Sequence, residues 1–125
     1  MMIEELTLGA IYVLSLETDG VVKSVQKVSM LYGGFSTYSV IDVGDVFGSA
    51  IDSLGDTDGD NIADMAVSAY HDDDGGTSTG SENVIFLQSD GSVKAAQKLS
   101  MLYGNMNAFY TLDASDVFSF LQWRL

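Results

Sequence analysis

The 125-residue chain contains no cysteine and no proline, and it has only five basic residues. Without cysteine, the chain has neither a disulfide framework nor a thiolate metal site. Eighteen acidic residues give a formal net charge of −13. This charge argues against nucleic-acid binding, which needs basic patches for the phosphates. It favours cations or a basic protein surface as partners instead.

Long apolar runs are also missing. No segment approaches the roughly 18 consecutive apolar residues of a membrane-spanning helix, so no membrane insertion is expected. The start of the chain, MMIEELTLG, is acidic and lacks the apolar segment of a signal peptide. The chain is nevertheless 46% hydrophobic, which is enough for a folded core and too apolar for a disordered chain.

Acidic residues concentrate in the segment LGDTDGDNIADMAVSAY, residues 54–70. Within it, carboxylates occupy loop positions 1, 3, 5 and 9, on Asp56, Asp58, Asp60 and Asp64. The carbonyl group of Ile62, at position 7, can supply another oxygen. A hard cation such as Ca²⁺ takes about six to eight oxygen ligands. Without a cation the carboxylates would repel one another, so the spacing predicts a metal site.

The flanks of this loop predict strands rather than helices. A helix–loop–helix Ca²⁺ site needs Gly at position 6 and Glu at position 12, whereas Asn61 and Val67 stand there. The flanking segments are short, apolar and punctuated by glycine, as strands are. Gly59 and Asn61 tolerate the left-handed backbone that a tight curl requires. The alternative is an Asp-rich turn without an ion.

An internal repeat runs through the chain at an offset of 71 residues. Asp19–Gly33 matches Asp90–Gly104, with eleven of fifteen pairs identical. The match extends forwards to Val46 and Phe47, which recur as Val117 and Phe118. Self-similarity at a fixed period indicates stacked or circularly arranged units.

The pattern of apolar runs and turn residues predicts an all-β chain with seven strands. The predicted strands are Ala10–Leu16, Ser24–Met30, Val46–Leu54, Ile62–Tyr70, Asn83–Gln88, Val93–Ser100 and Val117–Leu121. Residues 33–45 are predicted as a Gly/Ser-rich connection, and residues 71–81 as a polar, flexible loop. In that loop, His71 is expected to be a solvated residue, and Asp72, Asp73 and Asp74 a solvated turn. The alternative is that these three carboxylates help to bind a second cation.

The order of these parts resembles the FG-GAP repeat of integrin α-subunits and of bacterial surface and secreted proteins. The resemblance rests on Val46-Phe47-Gly48, on the Asp56-x-Asp58-Gly59-Asp60-x-x-x-Asp64 loop, and on the Asp-Gly-x-Val-Lys-x-x-Gln-Lys segments that begin at Asp19 and Asp90. It covers about residues 9–118. The resemblance implies four-stranded antiparallel β-propeller blades with Ca²⁺ bound between the first two strands of a blade. Its implied ligands are Asp56, Asp58, Asp60, the Ile62 carbonyl and Asp64.

The resemblance also implies a division of the chain. Residues 1–8 would be an extension, 9–45 the third and fourth strands of one blade, 46–100 a complete Ca²⁺-binding blade, and 101–125 a linker with the first strand of a truncated blade. Ser68-Ala69-Tyr70 departs from the usual Gly-Ala-Pro, and Ser119 stands where the first copy has Gly48. A closed propeller needs about four to eight blades. A homo-oligomer is therefore expected, with a small sandwich-like unit or a piece of a larger protein as alternatives.

The function expected from the sequence is that of a non-enzymatic Ca²⁺-binding module with a structural or adhesive role. No nucleophile–base–orienter pattern stands out among the serines and threonines. By resemblance the location is extracellular or at the cell surface, with a protein or glycan ligand on the blade loops. The alternatives are a purely architectural, self-assembling repeat and an accessory domain of a larger secreted hydrolase.

Overall fold

A computed structural model describes residues 9–42, 44–69, 71–73, 80–105 and 108–109. Its elements in chain order are β1 (Ile11–Leu16), β2 (Val22–Val28), a 3₁₀ turn (Phe35–Thr37), β3 (Phe47–Gly55), β4 (Asp64–Ala69), β5 (Ser81–Leu87) and β6 (Val93–Leu99). The all-β prediction is confirmed for these residues. None of their helical structure is long and apolar enough to cross a membrane.

The strands form two antiparallel sheets. β1 and β2 make a two-stranded hairpin, and β3, β4, β5 and β6 make a four-stranded sheet whose order follows the chain. The predicted antiparallel arrangement is confirmed, and neither sheet closes on itself within the described ranges. A four-stranded meander is what a single propeller blade requires, but it does not by itself establish a propeller.

The predicted strand boundaries needed small corrections. β2 begins and ends two residues earlier than predicted, because its pairing with β1 starts directly after the turn, at Val22. β4 begins at Asp64 rather than Ile62, because Asp64 is the first residue that pairs with β3, opposite Gly55. The last predicted strand, Val117–Leu121, lies outside the described residues.

The sequence repeat is also a structural repeat. Ile11 pairs with Val28 in the first hairpin, and their counterparts Glu82 and Leu99 pair in the second. All six residue pairs of the β1–β2 register recur in β5–β6 at the same offset, including one irregularity just before the last pair. Identical register makes the two hairpins copies in backbone as well as in sequence, with the same residues directed to the same face.

The Asp-Gly turns of the two hairpins use the same hydrogen bond. Oδ1 of Asp19 accepts from the backbone N–H of Val21 at 3.1 Å. Its counterpart on Asp90 accepts from the N–H of Ser92 at 2.9 Å. The glycine that follows each aspartate has a positive φ, which the tight turn requires. These shared contacts explain why Asp-Gly recurs in both copies.

The core lies between the β1–β2 hairpin and one face of the four-stranded sheet. Two aromatic rings, Phe35 and Phe47, stack there with centroids 4.9 Å apart. The other buried members are Ile11, Val28, Ile41, Val67, Ala69, Ile85, Leu87 and Val93. Phe35 and Ile41 belong to the segment predicted only as a connection, so this segment contributes to the core.

Candidate metal centre

The loop between β3 and β4 brings the four predicted carboxylates together. One oxygen from each of Asp56, Asp58, Asp60 and Asp64 lies within 4.8 Å of the others. Two oxygens on opposite sides of a Ca²⁺ ion would be about 4.6–5.2 Å apart, since each Ca–O distance is about 2.3–2.6 Å. The group is therefore compact enough to hold a metal ion.

Asp56 organises the curl of this loop. Its Oδ1 accepts from the backbone N–H groups of Gly59 at 2.7 Å and Asp60 at 3.0 Å. Its Oδ2 accepts from the N–H of Asn61 at 2.7 Å. Gly59 and Asn61 have φ values of 85° and 67°, so the predicted left-handed backbone is confirmed at both positions. A charged side chain that accepts several backbone N–H groups holds the loop in one conformation.

Asp64 connects the loop to the rest of the sheet. It is buried at the start of β4. Its Oδ2 accepts from the N–H of Thr57 at 3.0 Å, across the loop. Its Oδ1 accepts from the N–H of Leu87, at the end of β5, at 3.1 Å. Hydrogen bonds from the loop and from β5 therefore fix the position of the Asp64 carboxylate.

Ile62 stands at position 7 of the loop. Its N–H donates to Oδ1 of Asp60 at 2.9 Å, and its side chain packs against the core. The apolar side chain thus anchors the part of the loop whose carbonyl was predicted as a ligand.

Lys94 is a member of this site that the sequence interpretation did not include. Its ammonium group lies 2.8 Å from Oδ2 of Asp58 and 2.9 Å from Oδ2 of Asp60. Lys94 hydrogen bonding and the Ile62 N–H lower the pKa of Asp60, and the two carboxylates raise the pKa of Lys94. The missed signal is the repeated Asp-Gly-x-Val-Lys segment, which places a lysine just after the β5–β6 turn.

The expectation of a solvated turn at Asp72 is wrong. Asp72 is buried, and its Oδ2 lies 2.6 Å from Nζ of Lys98, which is also buried. The same oxygen accepts from Oγ of Ser81 at 2.8 Å, and Nζ of Lys98 also donates to the carbonyl of Val40 at 3.0 Å. A buried ammonium needs a counter-charge, which Asp72 supplies.

The two described neighbours of Asp72 in that loop are solvated, as predicted. His71 and Asp73 are both exposed. The backbone N–H of His71 donates to the carbonyl of Asp45 at 3.1 Å. Asp74, the third carboxylate of the predicted turn, lies outside the described residues.

Two further buried carboxyl groups have raised pKa values. Burial raises the pKa of Asp45 to about 6, and the charge of Asp72 adds to the effect, while the N–H of Asp42 and the charge of Lys98 oppose it. Burial alone raises the pKa of Glu82 to about 7. The charges of Asp72 and Lys98 therefore both act on the carboxyl group of Asp45.

An open cleft of about 340 Å³ lies beside the metal loop. Its walls include Val13 of β1, Ile51 of β3, Met65 of β4 and Gly91 of the β5–β6 turn. Asp64 also lines the cleft, so the cleft adjoins one of the four carboxylates.

Comparison of the chain with models of protein families, with curated proteins and with solved structures gives no match. The fold and the candidate metal centre therefore rest on the residues and contacts of the chain itself.

Proposed function

We propose that this chain is a non-enzymatic, Ca²⁺-binding β-repeat module of the FG-GAP type, in which the ion stabilises the β3–β4 hairpin. The observation that supports this proposal best is the convergence of four carboxylate oxygens, all within 4.8 Å, in one short loop. Backbone N–H groups donate hydrogen bonds to Asp56 and Asp64 and so hold two of these carboxylates in place.

The chemistry of the donors favours Ca²⁺ over other metals. Carboxylate and carbonyl oxygens suit hard cations, whereas Zn²⁺ prefers nitrogen and sulfur ligands. The chain has one histidine and no cysteine. Mg²⁺ usually binds through only one or two carboxylates and keeps several waters. Four carboxylates and the carbonyl of Ile62 come closer to the six to eight oxygens, roughly, that Ca²⁺ takes.

The role of the ion in this proposal is structural. Lys94 neutralises part of the negative charge, and a divalent cation at the carboxylates neutralises more. Extracellular Ca²⁺ modules have dissociation constants of about 10⁻⁴–10⁻³ M. At millimolar Ca²⁺, such an affinity stabilises the folded state by about 0.5–1.5 kcal/mol.

The sheet topology supports the proposed blade. The four-stranded antiparallel sheet β3–β6 has its acidic loop between the first and second strands, as an FG-GAP blade does. The β1–β2 hairpin repeats the register of β5–β6, so it corresponds to the third and fourth strands of a preceding blade.

Thermal unfolding tests this proposal. We expect millimolar Ca²⁺ to raise the Tm of metal-free wild-type protein by a few degrees, and EDTA to reverse the rise. Asp58→Ala should abolish the rise, because it removes a carboxylate ligand whose contact with Lys94 is an exposed ion pair. Asp52→Ala is the control, since Asp52 is an exposed aspartate in β3 that lies outside the cluster. A Ca²⁺-dependent rise that survives in Asp58→Ala would contradict this site.

A purely architectural repeat is the second candidate, and one observation favours it. The β1–β2 hairpin exposes large apolar side chains, among them Tyr12, Leu14 and Leu16. Apolar side chains grouped on one surface indicate a protein contact. Both an architectural role and an adhesive role would therefore involve another protein as the partner.

A further inference from the structure

The two copies of the hairpin differ in which of their faces are covered. The outer face of β1–β2 has five exposed apolar residues, Tyr12, Leu14, Leu16, Val22 and Val25, and the half-buried Lys27, which pairs with Tyr12. The equivalent residues of β5–β6, 71 positions later, are Asn83, Ile85, Leu87, Val93, Ala96 and Lys98. Leu14, Leu16 and Val22 are 51%, 55% and 48% exposed. Their equivalents Ile85, Leu87 and Val93 are 0%, 6% and 4% exposed.

The outer face of the second hairpin is buried because the first hairpin packs on it. The inner face of β1–β2, with Ile11, Val13, Gln26 and Val28, is directed to this contact. The Cα of Gly91, in the turn of the second hairpin, is so close that a Cβ there would lie 3.1 Å from Cγ1 of Val13 and 3.3 Å from Cβ of Gln26.

The equivalent turn of the first hairpin lacks this close packing. Gly20 is the equivalent of Gly91, and among the described residues a Cβ at Gly20 would meet nothing within 4 Å. The first hairpin therefore has the residues of the contact but not the surface that covers them in the second hairpin.

The chain also carries counterparts of the covering residues. The inner-face residues Ile11, Val13, Gln26 and Val28 have the equivalents Glu82, Val84, Gln97 and Leu99 in β5–β6. Gln97 is exposed, Val84 and Leu99 are half-buried, and Glu82 is buried. These residues lie on the face of the four-stranded sheet opposite the face that the first hairpin covers. The chain thus has an uncovered outer face on one hairpin and counterparts of the covering residues on the other.

We propose that a second copy of this chain covers the outer face of β1–β2 with the inner-face residues of its own β5–β6 hairpin. The contact would reproduce between chains the packing that exists within the chain. It joins two different surfaces, so it is heterologous and builds a ring or an open array, not a two-fold dimer. The contact is independent of the metal centre, which lies in the β3–β4 loop, so either proposal can fail without the other.

Disulfide cross-linking tests the register of this contact, and the cysteine-free chain gives it no background. Gln26→Cys with Gly91→Cys is the control within the chain, because the two Cβ atoms would lie 3.3 Å apart. The equivalent pair between chains is Gly20→Cys with Gln97→Cys. After mild oxidation, we expect this pair to give covalent oligomers on non-reducing gels, and each single variant to stay uncross-linked. Equally efficient cross-linking of Gly20→Cys alone would indicate a two-fold contact and overturn the proposal.

Light scattering after size-exclusion chromatography gives a second test that leaves the strained turns unchanged. We expect oligomers at micromolar concentration and at least a tenfold rise in the dissociation constant for Val25→Asp. Leu102→Asp is the matched control, because Leu102 and its equivalent Leu31 are exposed in both copies and so lie outside the repeat contact. A wild-type monomer at 100 μM, or equal effects of both variants, would overturn the proposal.

Discussion

The Nζ atom of Lys94 lies 2.8 Å from Oδ2 of Asp58 and 2.9 Å from Oδ2 of Asp60. Lys94 is therefore a cation, tethered to β6, that occupies two of the four carboxylates of the candidate metal centre. A metal ion bound at these carboxylates is repelled by the positive charge of Lys94. The affinity of the site for a cation should then depend on this lysine as well as on the aspartates.

We expect Lys94→Met to tighten Ca²⁺ binding by roughly 3- to 10-fold, which corresponds to about 1 kcal/mol of Coulomb repulsion removed near the protein surface. The measurement is a Ca²⁺ titration followed by thermal stability. Lys23→Met is the matched control, because Lys23 is the exposed equivalent of Lys94 in the hairpin that has no acidic loop. Weaker binding in Lys94→Met would show that the lysine organises the ligands instead of competing with the ion.

The aspartates of the loop should differ in how much they stabilise the fold when no Ca²⁺ is bound. In EDTA, we expect Asp64→Ala to destabilise the fold by about 2–3 kcal/mol, because it leaves the N–H groups of Thr57 and Leu87 without their acceptor. Asp58→Ala should cost less than about 0.5 kcal/mol under the same conditions, since exposed ion pairs contribute little. Urea unfolding measures both values. Equal costs would contradict the assignment of separate roles.

The buried pair of Asp72 and Lys98 should behave as one unit. Asp72→Ala leaves a buried ammonium without its counter-charge, and we expect a loss of about 3–5 kcal/mol in the free energy of unfolding. The double variant Asp72→Ala/Lys98→Met should cost clearly less than the sum of the two single changes. A double-mutant cycle in urea measures the coupling, and additive costs would argue against a direct buried pair.

Glu82 should make the stability depend on pH. Its pKa is raised from an ordinary value of 4.5 to about 7 by burial, so the folded state holds a proton that the unfolded state loses. The stability of the wild type should therefore fall as the pH rises from about 4.5 to 7. Glu82→Gln should match the wild type near pH 4 and exceed it at pH 8, by on the order of 1 kcal/mol.

The control for this pH series is Glu17→Gln, at an exposed glutamate in the turn of the first hairpin. It should leave the pH dependence of the Tm unchanged. A difference between Glu82→Gln and the wild type that stays constant from pH 4 to pH 8 would show that the carboxyl does not titrate in this range.

Much of the fold and of the acidic loop followed from local patterns in the sequence. Asp-Gly turns and short apolar runs indicated the hairpins, and the repeat at an offset of 71 residues indicated that one structural unit occurs twice. Alternate aspartates with Gly59 and Asn61 indicated a tight loop, because both the charges and the left-handed backbone are properties of neighbouring residues.

The contacts that the sequence interpretation missed are all between distant segments. Lys94 reaches Asp58 across 36 residues, and Lys98 reaches Asp72 from another strand. A run of aspartates before glycines is typical of a solvated loop, but the buried Lys98 draws Asp72 into the interior. Phe35 entered the core because its aromatic ring stacks on Phe47, which a Gly/Ser-rich connection does not suggest.

The most direct test of the central claim is equilibrium dialysis of radioactive Ca²⁺ against metal-free wild-type protein, with Asp58→Ala and Asp52→Ala alongside. We expect one ion per wild-type chain, with a dissociation constant of about 10⁻⁴–10⁻³ M. Asp52→Ala should bind as the wild type does, and Asp58→Ala should bind at least tenfold more weakly. Wild-type protein that binds no Ca²⁺ at 10 mM free ion, roughly ten times the weakest expected constant, would contradict the account.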